Sequence, residues 1–337
     1  ALPLLPQILQ WMETSGELQA LAQEYFLIRM FGLPAALMMH VLVGWLLGIQ
    51  NARAALWMLL LCNTINIILD VYFVFGLGWE VAGAARASVI AEWSGALLGL
   101  YLAWRYVDKG PLLDFWQKLL RWQSWRPLLA VNRDILIRSL ALQGVFFMVT
   151  FQGARLGDST VAANALLLNG LLLCAYALDG LAHALEALTG HALGMQDKSA
   201  LQRALALVSI YSLLASSVFA VLFWLFGDWF IALQTTIPSV QATAADYLPY
   251  LALLPVIAVW SYVLDGLFIG ATRAREMRNA MLLAVLVCAP IAWWLQSFGN
   301  HGLWIAFLVF MALRAGFLGF SARHLSSWFG DDQSAGR

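Results

Sequence analysis

Residues 54–78 read AALWMLLLCNTINIILDVYFVFGLG, an apolar run that carries one charged side chain, Asp70. About 20 such residues cover the hydrocarbon core of a bilayer as a helix. The period-two alternation of a barrel strand is missing, so the run predicts a membrane-spanning helix. Asn63, Asn66 and Asp70 stand at i, i+3 and i+7 and share one face of that helix.

Eight further stretches qualify as spans: 25–49, 83–107, 134–155, 160–192, 202–226, 243–270, 279–298 and 301–324. Residues 1–12 read as the tail of another. The composition agrees, with 62% of the 337 residues hydrophobic and 11% charged, against about 25% charged in soluble domains. The fold class is therefore an all-α membrane protein. A net charge of zero leaves no basic face for nucleic acid. The 16 Trp and 19 Phe suit aromatic belts at two membrane interfaces. Cys62, Cys174 and Cys288 lie in apolar runs without CxxC spacing, which predicts packed thiols and no disulfide or metal framework.

Lys and Arg set the expected orientation. One set of connections carries Arg53, the seven cations from Arg105 to Arg138, Lys198, Arg203, Arg273, Arg275, Arg278, Arg323 and Arg337. The alternate set carries Arg86 and Arg155, with Arg29 near that edge. By the positive-inside rule the first set, fifteen against three, faces the cytoplasm together with the C-terminus.

Shifting the chain by 222 residues aligns Tyr25 with Tyr247, Gly44 with Gly266, Gly48 with Gly270 and Ala52-Arg53 with Ala274-Arg275. Pro34 falls one residue out of step with Pro255. Each copy ends a span in GxxxG, which lets helix backbones approach closely in lipid, and continues into a short basic loop. This is a parallel repeat of two lobes. The lobes are read as residues 1–107 and 128–325, with a cytoplasmic linker at 108–127 and a tail at 326–337. Trp116, Trp122 and Trp125 beside Lys118 and Arg121 make the linker an expected interfacial helix. The second lobe has about 95 more residues ahead of its repeat than the first. Two six-helix bundles, twelve spans in all, are therefore expected, of which this chain carries about nine and part of another.

Ionisable groups inside spans are costly and are functional candidates by default. A carboxylate with two amides on one face, as at Asn63, Asn66 and Asp70, suits a buried H⁺ or Na⁺ site. The competing reading is an interhelical hydrogen-bond seam. Asp179, His183 and Glu186 fall at i, i+4 and i+7. They read as a second-lobe polar face, a proton relay or cation site, unless the helix end carries His183 and Glu186 into water. His40, alone in mid-span, reads first as a hydrogen-bonded core residue. Asp265 is expected to pair with Arg273 or to pack helices. Gln143, Gln152, Asn164 and Asn169 either line a cavity or join helices; Arg314 has no evident partner. HExxH, GxSxG and GxxxxGK[ST] are absent, so neither catalytic metal nor ATP chemistry is indicated.

The stretch GWLLGIQNARAALWMLLLCNTINIILDVYFVFGLGWEVAGAA resembles multidrug and toxic compound extrusion (MATE) transporters. LGDSTVAANALLLNG, LDGLAHALEALTGHALG and LDGLFIGATRAREMRNAM are similar to their DinF-type branch. The resemblance implies an inner-membrane antiporter, with no cofactor, that exports small organic compounds against entering H⁺ or Na⁺ by alternating access. It implies membrane lipids as surroundings, a monomer, and no enzymatic activity. It also implies that Asn66 and Asp70 belong to the first-lobe cation site, with Ser88 as neighbour. An Asn that related proteins supply from the preceding helix has no match here, where His40 and Val43 stand. The alternatives are a lipid-linked glycan flippase of the same superfamily, which calls for an Arg-lined cavity, and an intramembrane enzyme using Asp179, His183 and Glu186.

Overall fold

Residues 16–106 and 122–329 are described by the computed structural model, and they fold as helices. In hydrocarbon each backbone N–H and C=O must find a partner inside its own segment, which leaves the helix as the available form for these apolar runs. The chain divides into two compact units, Ala1–Leu112 and Leu113–Arg337.

In the first unit, α1 (Gly16–Met30) and α2 (Leu33–Gly48) form a pair bent by 52°. Pro34 in the first turn of α2 fits the break, because proline there forfeits no intrahelical bond. The bend is braced from α4 (Glu80–Trp104). Glu92 accepts two bonds from the Arg29 guanidinium, at 2.9 and 2.7 Å, and Trp93 donates to the Phe31 carbonyl at 3.0 Å. Between them runs α3 (Ala52–Asp70), capped by the Asn51 side chain on the Ala54 N–H and prolonged by a π-helical turn, Val71–Gly76.

In the second unit, α5 (Trp122–Arg155), α6 (Asp158–Gly194), α7 (Lys198–Gln234), α8 (Pro238–Gly270), α9 (Ala274–Leu295) and α10 (Gly299–Ser321) surround a core. Trp304, Phe268 and Phe310 are its largest fully buried side chains. The 37 residues of α7 span about 55 Å at 1.5 Å per residue, well beyond the roughly 30 Å hydrocarbon core. Its ends therefore stand in the interfaces. At one of them Asp197 caps the helix by accepting from the Ala200 N–H at 2.9 Å. The Ser199 hydroxyl first, then that N–H, hold the Asp197 carboxyl below its ordinary range.

Among the described residues, seven helices are long and apolar enough to cross a membrane, or eight with the bent pair as one span. The nine stretches read from sequence divide the last of these, Ala274–Ser321, in two. That run of 48 residues would extend about 72 Å. It turns back instead at a 3₁₀ turn, Gln296–Phe298, and at Gly299 with φ of +60°, and α9 packs against α10. Residues 122–127 are the opening turns of α5, continuous through Pro127, while 108–121 lie outside the described residues.

The 222-residue repeat extends to the backbone. Gln50 and Thr272 both adopt positive φ, 60° and 55°. Asn51 N–H reaches Leu46 O at 2.8 Å, and Arg273 N–H reaches Phe268 O at 2.9 Å. This is the same six-to-one closure of a helix C-terminus. The glycines diverge. A Cβ on Gly266 or Gly270 would overlap the backbone of α6 at Ala182 or Glu186, whereas Gly44 and Gly48 face open space.

Candidate functional site

The face of α3 predicted to carry Asn63, Asn66 and Asp70 is only partly a cluster. Asn66 is half-buried and its Nδ2 donates to Ser88 Oγ on α4 at 3.4 Å. Asp70, one turn on, is half-buried, and its Oδ1 is fully enclosed without a hydrogen-bond partner. A buried carboxylate oxygen left unbonded is costly, and a proton or a cation would relieve that cost. Asn63 is exposed and makes no hydrogen bond to the other two. The chain leaves α-geometry directly after Asp70, and the Leu77 N–H closes onto Tyr72 O at 3.0 Å, five residues back. Such π-turns are weaker than α-turns and concentrate at functional positions. Phe73 stacks on Trp79 with centroids 5.1 Å apart, and the Arg86 guanidinium lies 4.7 Å over Trp79. His40 corrects the core reading: it is exposed and bonds to no described residue.

The second-lobe polar face also divides. His183 Nδ1 and Glu186 Oε2 pair with each other at 3.1 Å on an outward surface. Asp179 joins neither. It makes no hydrogen bond to them, but it lies within electrostatic reach of His183 first and then of Asp265, Arg138 and Arg314. Asp265 does not pair with Arg273, which bonds Glu276 at 2.9 Å. The Oδ2 of Asp265 instead accepts from Arg138 of α5 at 2.5 Å and from Arg314 of α10. Asp265 is 6% exposed and Arg314 3%. The Oδ1 of Asp265 and the Nε of Arg314 have no partner. Two guanidiniums on one carboxylate leave a positive excess that Asp179 offsets. A turn earlier on α5, buried Asp134 accepts from Arg278 of α9 at 2.7 Å.

Sequence reading gave Arg138, Arg133 and Arg278 only a topological role and did not single out Asp134. The available signal was ILIRSLAL at 135–142, which sets Arg138 among apolar residues rather than in a basic loop. Of the amides, Asn164 exchanges hydrogen bonds with Asn300 and accepts from Trp304 Nε1 at 2.9 Å. Asn169 donates to Gln234 at 3.1 Å. These two join helices. Gln152 lines a cavity of about 700 Å³ between α5, α9 and α10.

Long apolar helices, a carboxylate inside a span and a buried ion network define a multi-pass membrane protein. The MatE family profile matches residues 1–72 and 135–294, and the chain belongs to that family, whose members are transporters and not enzymes. It is 44% identical over 293 residues to DNA damage-inducible protein F of Escherichia coli (strain K12), covering 87% of this chain and 64% of that protein. It is 27% identical over 316 residues to a probable multidrug resistance protein NorM of Rhizobium meliloti (strain 1021), covering 89% of this chain and 67% of that one. Protein DETOXIFICATION 44 of Arabidopsis thaliana is 26% identical, with 87% of this chain and 55% of that protein covered. The chain thus spans between about half and two thirds of the length of these relatives. Among solved structures, a MATE in the straight conformation superposes with a TM-score of 0.86 at 20% identity, over 97% of this chain and 74% of that one. A MOP superfamily transporter from Pyrococcus furiosus gives 0.86 at 22% identity, with the same coverage. At these identities the likeness is one of fold.

Proposed function

We propose that the protein carrying this chain is a cation-coupled antiporter that exports small organic compounds across the bacterial inner membrane. Its C-terminus lies in the cytoplasm, and Asp70 is the coupling carboxylate. The observation that carries this reading is the enclosed, unbonded Oδ1 of Asp70 one turn from an Asn66 already bonded to Ser88. An entering H⁺ or Na⁺ satisfies that oxygen and removes an uncompensated charge from the span. Occupancy then changes which hydrogen bonds hold α3 against α4. The adjoining π-turn is a place where the helix can shift register between two states. Family membership and the names of the multidrug relatives support organic solutes as cargo.

The flippase alternative calls for arginines facing a cavity. Arg138 and Arg314, two cations drawn into the second unit's interior, are both bonded to Asp265. The test is efflux of a fluorescent organic cation from proteoliposomes, with H⁺ and Na⁺ gradients imposed separately. Efflux that follows one gradient and collapses with its ionophore supports the reading. Efflux indifferent to both gradients would refute it.

A further inference from the structure

The 222-residue repeat sets Asn66 against Cys288, Asp70 against Ala292 and Ser88 against Phe310. The second unit's counterpart of the Asp70 site therefore presents a thiol, a methyl group and a phenyl ring. Its buried carboxylates lie elsewhere. Among the described residues of this unit they are Asp134 and Asp265, and each is already met by arginine. Arg278 reaches Asp134 from α9 at 2.7 Å, while Arg138 from α5 and Arg314 from α10 converge on Oδ2 of Asp265.

A carboxylate inside a span is tolerated when a proton, a cation or a fixed positive side chain offsets its charge. A guanidinium stays charged at any working pH, and its tether keeps it from exchanging with solution. Around Asp265 the charges balance with side chains alone. Arg138 and Arg314 contribute two positive charges, and Asp265 and Asp179 two negative ones, all within electrostatic reach of one another. Tyr262 of α8 also lies within reach, and His183 acts on Asp179 from the next turn of α6. The Oδ1 of Asp265 lacks a hydrogen bond, yet its carboxylate is paired. That separates it from Asp70, which pairs with no arginine among the described residues. The repeat position of Arg314 is charged in the first unit too: Glu92 stands there, neutralised by Arg29 at 2.7 Å.

We propose that Arg138 and Arg314 are positioning residues that serve as fixed counter-cations, filling the place at Asp265 that an exchangeable H⁺ or Na⁺ would otherwise take. This network then keeps one charge state throughout a transport cycle. The assignment concerns the second unit alone and stands whether or not Asp70 couples transport.

The experiment removes the fixed charges and asks whether a mobile one replaces them. Arg138→Gln combined with Arg314→Gln leaves Asp265 without a cation, and each Gln offers an amide oxygen that can ligate one. Melting of the full-length protein in detergent is followed against Na⁺, exchanged for choline, and against pH. Beyond the wild-type response, the double variant should gain stabilisation by Na⁺ or by H⁺. The rise should be roughly 5–11 °C at about a hundred times the dissociation constant. Adding Asp265→Asn should cancel most of this gain. Arg138→Lys with Arg314→Lys keeps both charges and should not show it. On an Asp70→Asn background the gain should persist, which separates it from any response of the first unit. A double Gln variant that responds to both ions as the wild type does would overturn the proposal. So would a misfolded double Gln variant that neither ion rescues, a gain undiminished by Asp265→Asn or lost with Asp70→Asn, or the same gain in the double Lys variant.

Discussion

Replacing Asp265 by Asn removes the one carboxylate that both Arg138 and Arg314 contact. The two arginines differ in escape. Arg138 has 14% of its side chain exposed, Arg314 4%, so Arg138 can extend toward solvent and Arg314 cannot. The cost falls mainly on Arg314, left buried without a bonded counter-charge and with only the longer-range field of Asp179 against it, at up to about 3–5 kcal/mol. In a unit of this size each kcal/mol lowers the melting temperature by about 2–4 °C, a drop of roughly 6–20 °C in all. Arg138→Gln leaves the Asp265–Arg314 pair intact and should cost far less. Asp265→Leu combined with Arg314→Leu removes both charges and should recover most of the stability. Thermal melting in detergent of the wild type and these three variants, followed by tryptophan fluorescence, checks the order. If Arg138→Gln is as damaging as Asp265→Asn, or the double leucine variant is no better than the single Asn, the reasoning about which charge is trapped is wrong.

The two copies of the GxxxG should respond differently to bulk. Gly266→Val drives a side chain into the α6 backbone at Ala182 and should cost about 1–3 kcal/mol or more. Gly44→Val, on an open face in this chain, should stay within about 0.5 kcal/mol, and melting curves of the pair decide it. Asp197→Ala removes the α7 cap and should lower the melting temperature at neutral pH. The folded carboxyl titrates below its ordinary range, so its contribution is fully present above the unfolded value near 3.9. It is lost as pH falls through the lower folded value. The gap between wild type and Asp197→Ala should therefore close only below about pH 4; a gap that stays constant down to about pH 3 contradicts the cap.

Span positions were legible because hydropathy over about 20 residues reports a bulk transfer free energy that packing does not alter. The 222-residue repeat was legible for a related reason. Gly48 and Gly270 end their helices by the same backbone closure, which local sequence determines. Partners across the bundle were not legible. Asp265 stands close to Arg273 in the sequence, yet it bonds residues 127 and 49 positions away. Which helix faces which is a tertiary fact. The i, i+4, i+7 rule placed Asp179, His183 and Glu186 on one stripe, but a stripe several turns long meets different neighbours along its length. Its Asp179 end lies within electrostatic reach of the Asp265 network as well as of His183, while His183 and Glu186 remain at the surface. The break from α- to π-geometry after Asp70 has no marker in VYFVFG.

The proposed transport cycle stands on the link between ion entry at Asp70 and solute export. Gradient-driven efflux by the full-length protein in proteoliposomes, compared between wild type and Asp70→Asn, isolates that link. Asn keeps the size of the side chain, and it cannot take up a proton or hold a cation as a carboxylate does. Asp70→Asn should reconstitute and melt like the wild type, still bind solute, and no longer respond to an imposed H⁺ or Na⁺ gradient. Wild-type efflux by Asp70→Asn, still following the gradient, would contradict the assignment and move the coupling group to the Asp179 and Asp265 side of the second unit.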